Sequence, residues 1–349
     1  MLYRILIMQP KKVLIIGLGK FGSIKADVYS KMGCIVDALD PYNDDTKCLT
    51  RHCYKDVSDI RLGYDIYEIC VPTQRHCEYI TRLAINDPNV TIVCEKPLAS
   101  NFRDLALTIS TAGRNFNTNY VYSENYAASS LVHKAKSLIE KYKLVPLKAI
   151  IEFSKDRRDD IAKGRFVDTD LEGFGIELPH MLTALQILGL GFDTIVSALT
   201  TDLVCEDKTY LRQGNISVKG YSQNRVSLEM YQSLDGKINF FHPRFAFDTS
   251  YISPYRILYL QCTNGYELFA QFEPVFGQGR RYVGKLELVK GAEIVVSQPI
   301  NDMPLNHLIQ IIVDGSFSRK WYHEFLTFQH GAEVTGTLVG LQKHSLMEI

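Results

Sequence analysis

Val13-Leu14-Ile15-Ile16-Gly17-Leu18-Gly19-Lys20-Phe21-Gly22 decides how this chain folds. An apolar run enters a G-x-G-x-x-G turn, and a segment of helical periodicity leaves it. Glycines at that spacing let a strand turn sharply, bring bare backbone to a diphosphate and let the helix pack close to the sheet. The helix start adds N–H donors and the positive end of the macrodipole. The next apolar run, Cys34-Ile35-Val36-Asp37-Ala38-Leu39, reads as a second strand ending at Asp40. A carboxylate about 20 residues beyond the turn suits the hydroxyls of an adenine ribose and repels a 2′-phosphate. No basic side chain follows Asp40 before Lys47. The stretch therefore predicts a dinucleotide site for NAD rather than NADP.

Outward from this turn, short apolar runs alternate with helical segments as far as about residue 123. Strands are predicted at 12–17, 35–39, 66–71, 90–94 and 118–122, and helices at 21–32, 75–86 and 101–115. That alternation is the pattern of a parallel βαβ sheet. A helix follows at 127–142, with Leu131, Ala135, Leu138 and Ile139 on one face. From 147 to 298 the texture becomes strand-rich: Leu147–Phe153, Arg225–Gln232, Lys237–Phe241, Arg256–Cys262, Tyr266–Phe272, Tyr282–Val289 and Glu293–Ser297. Asp235-Gly236 and Asn264-Gly265 are suitable hairpin turns. Helices are expected near 175–188, 304–314 and 320–345. The expected fold class is α/β. A Rossmann doubly wound parallel sheet spans 1–123, and an α+β domain with a largely antiparallel open sheet spans 124–349.

Among the 349 residues, Lys+Arg and Asp+Glu are equal at 39 each, so no global field draws the chain to nucleic acid or a membrane surface. The most apolar region, 182–200, is interrupted by Gly189, Gly191 and Asp193, which argues against a membrane span. Leu2–Met8 is too short for a signal-peptide core. A cytoplasmic protein is expected. The eight cysteines include no C-x-x-C. Cys48, His52 and Cys53, or His76 and Cys77, lack a second pair at zinc spacing, so no metal is expected.

Ligands lie beyond the carboxyl ends of strands in an open α/β sheet, and two motifs stand there. The first is Cys70-Val71-Pro72-Thr73-Gln74-Arg75-His76 and the second Cys94-Glu95-Lys96-Pro97-Leu98-Ala99. Lys96, at a strand end beside a cofactor cleft, can hydrogen-bond a nicotinamide ribose and a reacting hydroxyl; by itself a Glu-Lys-Pro turn reads as a surface loop. A third motif, Gly173-Phe174-Gly175-Ile176-Glu177-Leu178-Pro179-His180, opens a helix. Glu177 and His180, three apart, share a helix face as a coupled acid–imidazole pair, or as an ordinary solvated one. Between Ser154 and Phe166, Lys155, Arg157, Arg158, Lys163 and Arg165 face Asp156, Asp159 and Asp160 in sequence. The stretch is either a solvated loop or a clamp for a phosphate or nucleotide-linked sugar.

The order of the Gly-rich turn, acidic strand end, V-P-T-x-x-H, E-K-P-L-A and E-L-x-H resembles the Gfo/Idh/MocA oxidoreductase family. Ser123-Glu124-Asn125-Tyr126, followed by a helix to Tyr142, is similar to the family's passage into its second domain. The resemblance covers about residues 12–190. It implies a nicotinamide cofactor, hydride transfer at a sugar or cyclitol carbon, and a homodimer or homotetramer through the open sheet of the C-terminal domain. Cofactor contacts would fall on Gly17, Gly19, Lys20, Phe21, Gly22, Asp40, Pro72, Thr73, His76, Glu95, Lys96, Pro97 and Asn125, with a cis peptide before Pro97. Lys96, His180 and Glu177 would be catalytic, and Lys96, Tyr126, Arg157, Arg158, Arg165 and His180 would meet substrate. The chain departs from the family pattern where an aspartate is common, at Ile176 and Thr183. Three functions are compatible with these residues. They are an NAD-dependent sugar or cyclitol dehydrogenase (or the reverse ketoreductase), an imine or other non-carbohydrate reductase, and a non-enzymatic NAD-binding regulator.

Overall fold

The computed structural model describes residues 9–44, 49–60, 62–87, 89–163, 170–205, 208–245, 254–273, 283–315 and 321–345. The chain forms two compact units. The first comprises Met1–Ala99, Arg103–Ser123 and Ile309–Ala332; the second comprises Ser100–Phe102, Glu124–Leu308 and Glu333–Ile349.

In the first unit the alternation of apolar runs and helices becomes β1 (Lys12–Ile16), α1 (Lys20–Lys31), β2 (Ile35–Leu39), β3 (Cys53–Tyr54), β4 (Ile66–Ile69), α2 (His76–Asn86), β5 (Thr91–Glu95), α3 (Phe102–Arg114) and β6 (Asn119–Ser123). The strands form one sheet in the order β3-β2-β1-β4-β5-β6, and every pairing is parallel. The order reverses direction at β1, the switch point at which such sheets bind ligands. Leu14, Ile16, Tyr67, Ile69, Ile92, Cys94 and Tyr122 are buried in one core with Ile80 and Leu83 of α2. The two-residue β3 has too little periodicity to be read in advance.

The second unit is built on α4 (Ser130–Lys141), β7 (Pro146–Ser154), α5 (Arg158–Ala162), α6 (Leu178–Ile187), β8 (Phe192–Cys205), β9 (Lys208–Ser222), β10 (Ser227–Ser233), β11 (Tyr255–Cys262), β12 (Tyr266–Glu273), β13 (Val283–Lys290) and β14 (Glu293–Asn301). Its sheet runs β14-β13-β12-β11-β7-β10-β9-β8. All its pairs are antiparallel except β7 with β10. Helix α4 packs on β12, β13 and β14, and α6 on β7. Asn264 and Gly265 both have positive φ, 59° and 71°, and join β11 to β12 as expected of that pair. Two further helices close the chain, α7 (Pro304–Asp314) and α8 (Phe328–Ser345).

Two expectations need correction. Residues 237–241 are not a strand, because the Asn239 and Phe240 N–H groups donate to the buried Glu152 carboxylate at 2.8 and 2.7 Å instead of to a neighbouring strand. The long β8–β9 hairpin was not anticipated. Its register shifts between Phe192 and Thr194, Ile195 and Ser197, and Thr201 and Leu203 break the two-residue period by which a strand is recognised.

Asp302, just after β14, anchors α4: its carboxylate accepts from the Ser129 hydroxyl at 2.6 Å and the Ser130 N–H at 2.8 Å. One turn on, His133 Nε2 lies 2.7 Å from the Ala127 carbonyl. Burial pushes its pKa down from 6.5 to about 4. A lowered folded-state value means that the unfolded chain binds the proton first, so stability falls as pH drops from 6.5 towards 4. The loss is on the order of 2–3 kcal/mol. Denaturant titrations across that pH window are expected to show this slope in the native protein and a flatter one in His133→Gln.

Candidate active site

The Gly-rich turn of the first unit is built by close backbone approach. Gly17 has φ 98°, and a Cβ there would lie 2.8 Å from the Cys70 carbonyl oxygen. A Cβ on Gly22 would lie 1.9 Å from the Gly17 carbonyl oxygen. A Cβ on Gly19 would meet nothing within 4 Å. Gly19, Lys20 and Phe21 are exposed, and no side chain caps α1. Bare backbone at an uncapped helix start is the donor set a diphosphate uses, so the turn fits a dinucleotide.

Asp40 is buried at the end of β2. It accepts from Leu18 N–H at 2.7 Å, Tyr42 and Asn43 N–H at 2.8 Å, and the Asn43 side-chain amide at 2.9 Å. Burial opposes its charge, but the donors of Asn43, Tyr42 and Leu18 outweigh that and hold its pKa below the usual carboxylate range. It is thus a fixed anion tied to the Gly-rich turn itself.

Lys96 is half-buried just past β5, and its peptide bond to Pro97 is cis. Pro72 is exposed and Thr73 buried at the start of the turn into α2. His76 is buried, with Nδ1 2.9 Å from the Pro97 carbonyl and Nε2 3.0 Å from the Val71 carbonyl. Its ring fastens the loop after β4 to the loop after β5. The Glu95 carboxylate turns inward, accepting from the Ser123 hydroxyl at 2.9 Å and pairing with Lys25. For His76 and Glu95, then, the contacts seen are internal fastenings of the loops that carry Pro72, Thr73 and Lys96.

In the second unit, His180 stands on α6 with Nδ1 2.6 Å from Glu124 Oε1. Glu124 is fully buried and also accepts from the Tyr126 N–H at 3.0 Å. A carboxylate at that distance accepts a hydrogen bond from Nδ1–H and leaves Nε2 as the nitrogen with the free lone pair. Tyr126 packs against the imidazole, 5.1 Å between ring centroids, and is backed by Phe153 and Phe272. Asn125 is half-buried in the same 3₁₀ turn.

Glu177 does not hydrogen-bond His180. It is the N-cap residue of α6 and 2 % exposed, held by Arg157 Nη2 at 2.6 Å and Arg256 Nη2 at 3.1 Å. Burial works against its charge, but Arg256 and Arg157 more than compensate and keep its pKa well below the carboxylate range. Two guanidinium groups thus claim the carboxylate that i,i+3 spacing offered to the imidazole. The basic stretch is likewise paired internally. Arg157 meets Asp160 at 3.0 Å, Arg158 meets Asp156 at 2.5 Å, and Lys163 meets Asp159 at 3.4 Å. Arg165 lies outside the described residues. Glu124 was not singled out from sequence; the available signal was its place in the Ser123-Glu124-Asn125-Tyr126 run at the end of a strand. Gly22→Ala is expected to weaken NADH binding at least ~tenfold in a fluorescence titration, because the methyl group cannot enter without moving the turn.

Over residues 11–123 the chain matches the Gfo/Idh/MocA family, described as an oxidoreductase family with an NAD-binding Rossmann fold. No curated protein matches in sequence. Solved structures align over nearly the whole chain. One, assigned as an NADPH-dependent oxidoreductase of Desulfitobacterium hafniense, has TM-score 0.73 at 13% identity, covering 98% of this chain and 97% of that one. A levoglucosan dehydrogenase in complex with NADH and levoglucosan has TM-score 0.70 at 13% identity, covering 97% and 98%. A UDP-N-acetylglucosamine 3-dehydrogenase of Acidithiobacillus ferrooxidans has TM-score 0.66 at 13% identity, covering 96% and 97%. At that identity the likeness shows the fold: a parallel Rossmann sheet and a second, mostly antiparallel sheet. The NAD-binding Rossmann segment at residues 11–123 thus matches the Gfo/Idh/MocA oxidoreductase family.

Proposed function

We propose that this oxidoreductase interconverts a secondary alcohol and a ketone on a sugar, sugar derivative or cyclitol, with NAD as its cofactor. The observation that carries the reading is the 2.6 Å contact of His180 with the fully buried Glu124. It orients an imidazole as a proton acceptor on an enzyme whose family brings the redox cofactor. That two of the structural neighbours act on carbohydrates supports the substrate class.

The turn from Gly17 to Gly22 would hold the diphosphate, and Asp40 the adenine ribose. A fixed carboxylate at that position favours NAD over NADP, since a 2′-phosphate would meet like charge. When bound, the cofactor accepts or returns the hydride. His180 Nε2 takes the hydroxyl proton, and the Glu124 carboxylate stabilises the imidazolium that forms. Tyr126 fixes the plane of the ring. Lys96, in the first unit, is assigned a hydrogen bond to the nicotinamide ribose. Glu177 is assigned to holding Arg157 and Arg256 and thereby the start of α6. Arg157 and Arg158 remain candidates for substrate contact. Exposed Ile195, Val196 and Leu199 on the edge strand β8 support the homo-oligomer expected through this sheet.

A panel of sugars, cyclitols and imines, scored by NADH absorbance, tests the proposal. A sugar or cyclitol is expected to reduce NAD⁺. His180→Ala is expected to lower kcat by ~10²–10⁴-fold and Glu124→Gln by ~10–100-fold. Both should leave NADH affinity within about twofold, since neither residue is assigned to the cofactor. Undiminished turnover in His180→Ala would remove the acid–base assignment, and turnover of imines alone would change the substrate class. In a parallel titration NAD⁺ is expected to bind at least ~tenfold tighter than NADP⁺, and Asp40→Ala to narrow that gap.

A further inference from the structure

Lys25, on α1, is fully buried, and nothing in the proposed chemistry uses it. Its ammonium lies 2.5 Å from Glu68 Oε1 on β4 and 2.6 Å from the Ser123 hydroxyl at the end of β6, and it pairs with Glu95 at the end of β5. The Ser123 hydroxyl donates to Glu95 at 2.9 Å, and the Tyr29 hydroxyl donates to Glu68 Oε2 at 2.6 Å. Burial alone would pull the lysine pKa down, but Glu68 and Glu95 reverse this and leave it raised, so the group is a cation. Burial and the Glu95 charge push Glu68 up, with Lys25 acting against them.

Such a node is costly to bury, and apolar side chains of similar volume would commonly serve stability as well or better. What an apolar cluster cannot supply is direction: hydrogen bonds from one ammonium fix the relative register of three neighbouring strand ends. Lys96 is the next residue after Glu95, and Glu124 the next after Ser123. We propose that Lys25 is a positioning residue that, by clamping Glu95 to Ser123 and Glu68, holds the backbone from which Lys96 reaches the nicotinamide half of the cofactor. This rests on the assignment of Lys96 above.

NADH and ADP serve as paired probes, since ADP fills the adenine and diphosphate positions and lacks the nicotinamide half. Both would be titrated against the wild type, Lys25→Met, Lys96→Ala and the double variant. Lys25→Met is expected to weaken NADH about tenfold and ADP less than twofold, and to add nothing in the Lys96→Ala background. Equal losses for the two probes, or an undiminished loss in the Lys96→Ala background, would overturn the proposal. If Lys25→Met does not fold, Ser123→Ala removes one leg of the clamp. It is expected to cost NADH about threefold, again only when Lys96 is present; the same two contrary results apply. Lys96→Ala alone reports on the underlying assignment. An unchanged NADH affinity there would dismiss Lys96 from the cofactor site, and the positioning proposal with it. A loss there, with no coupling to Lys25, would dismiss the positioning role alone.

Discussion

At Gly22 there is room for a hydrogen atom and for nothing larger. The carbonyl oxygen of Gly17 lies 1.9 Å from where a Cβ would be, so α1 leaves the sheet closer to β1 than any other residue allows. That approach places the start of an uncapped helix over the switch point of the parallel sheet, between β2 and β4 on either side of β1. The cofactor reading of the first unit depends on it. Asp40 is part of the same device, because one of its oxygens accepts from the Leu18 N–H inside the turn. The carboxylate that would read the ribose also braces the loop that would cradle the diphosphate.

The chemistry assigned to the second unit has a different physical basis. An exposed Glu–His pair is worth little and turns with solvent. Glu124 is fully buried, and His180 lies against the Tyr126 ring, which Phe153 and Phe272 back in turn, so the imidazole has few orientations and its Nδ1 faces a buried carboxylate. Nearby, Glu177 is saturated by two arginines and stays ionised for structural reasons. Two carboxylates, one beside His180 in space and one beside it in sequence, thus have separate roles because their cationic neighbours differ.

These differences mark how far sequence alone reaches. The parallel sheet was legible because its strands are continuous apolar runs and its turn needs glycine at fixed places, both local properties. The Asn264-Gly265 turn was legible for the same reason, whereas the cis peptide at Pro97 was an implication of the family resemblance. The partner of His180 was not, since Glu124 is 56 positions away and only the fold brings them together. The i,i+3 spacing of Glu177 and His180 misled because it assumes that both lie within the helix, whereas Glu177 is its N-cap residue. The basic stretch allowed both a solvated loop and an anion clamp, because the alternating acids beside it carry no signal of pairing until side chains are placed. Bulges concealed β8 and β9, and the buried role of Lys25 left no trace at all in periodicity or composition.

The central claim is that this chain moves a hydride between nicotinamide and a carbohydrate carbon, and isotope transfer tests it most directly. The protein would be incubated with NADH deuterated at C4 and a set of keto-sugars and keto-cyclitols, and the products examined by mass spectrometry and deuterium NMR. The account predicts one deuterium on a newly formed carbinol carbon, from one of the two C4 positions only. Deuterium retained wholly in the cofactor across the set would contradict it.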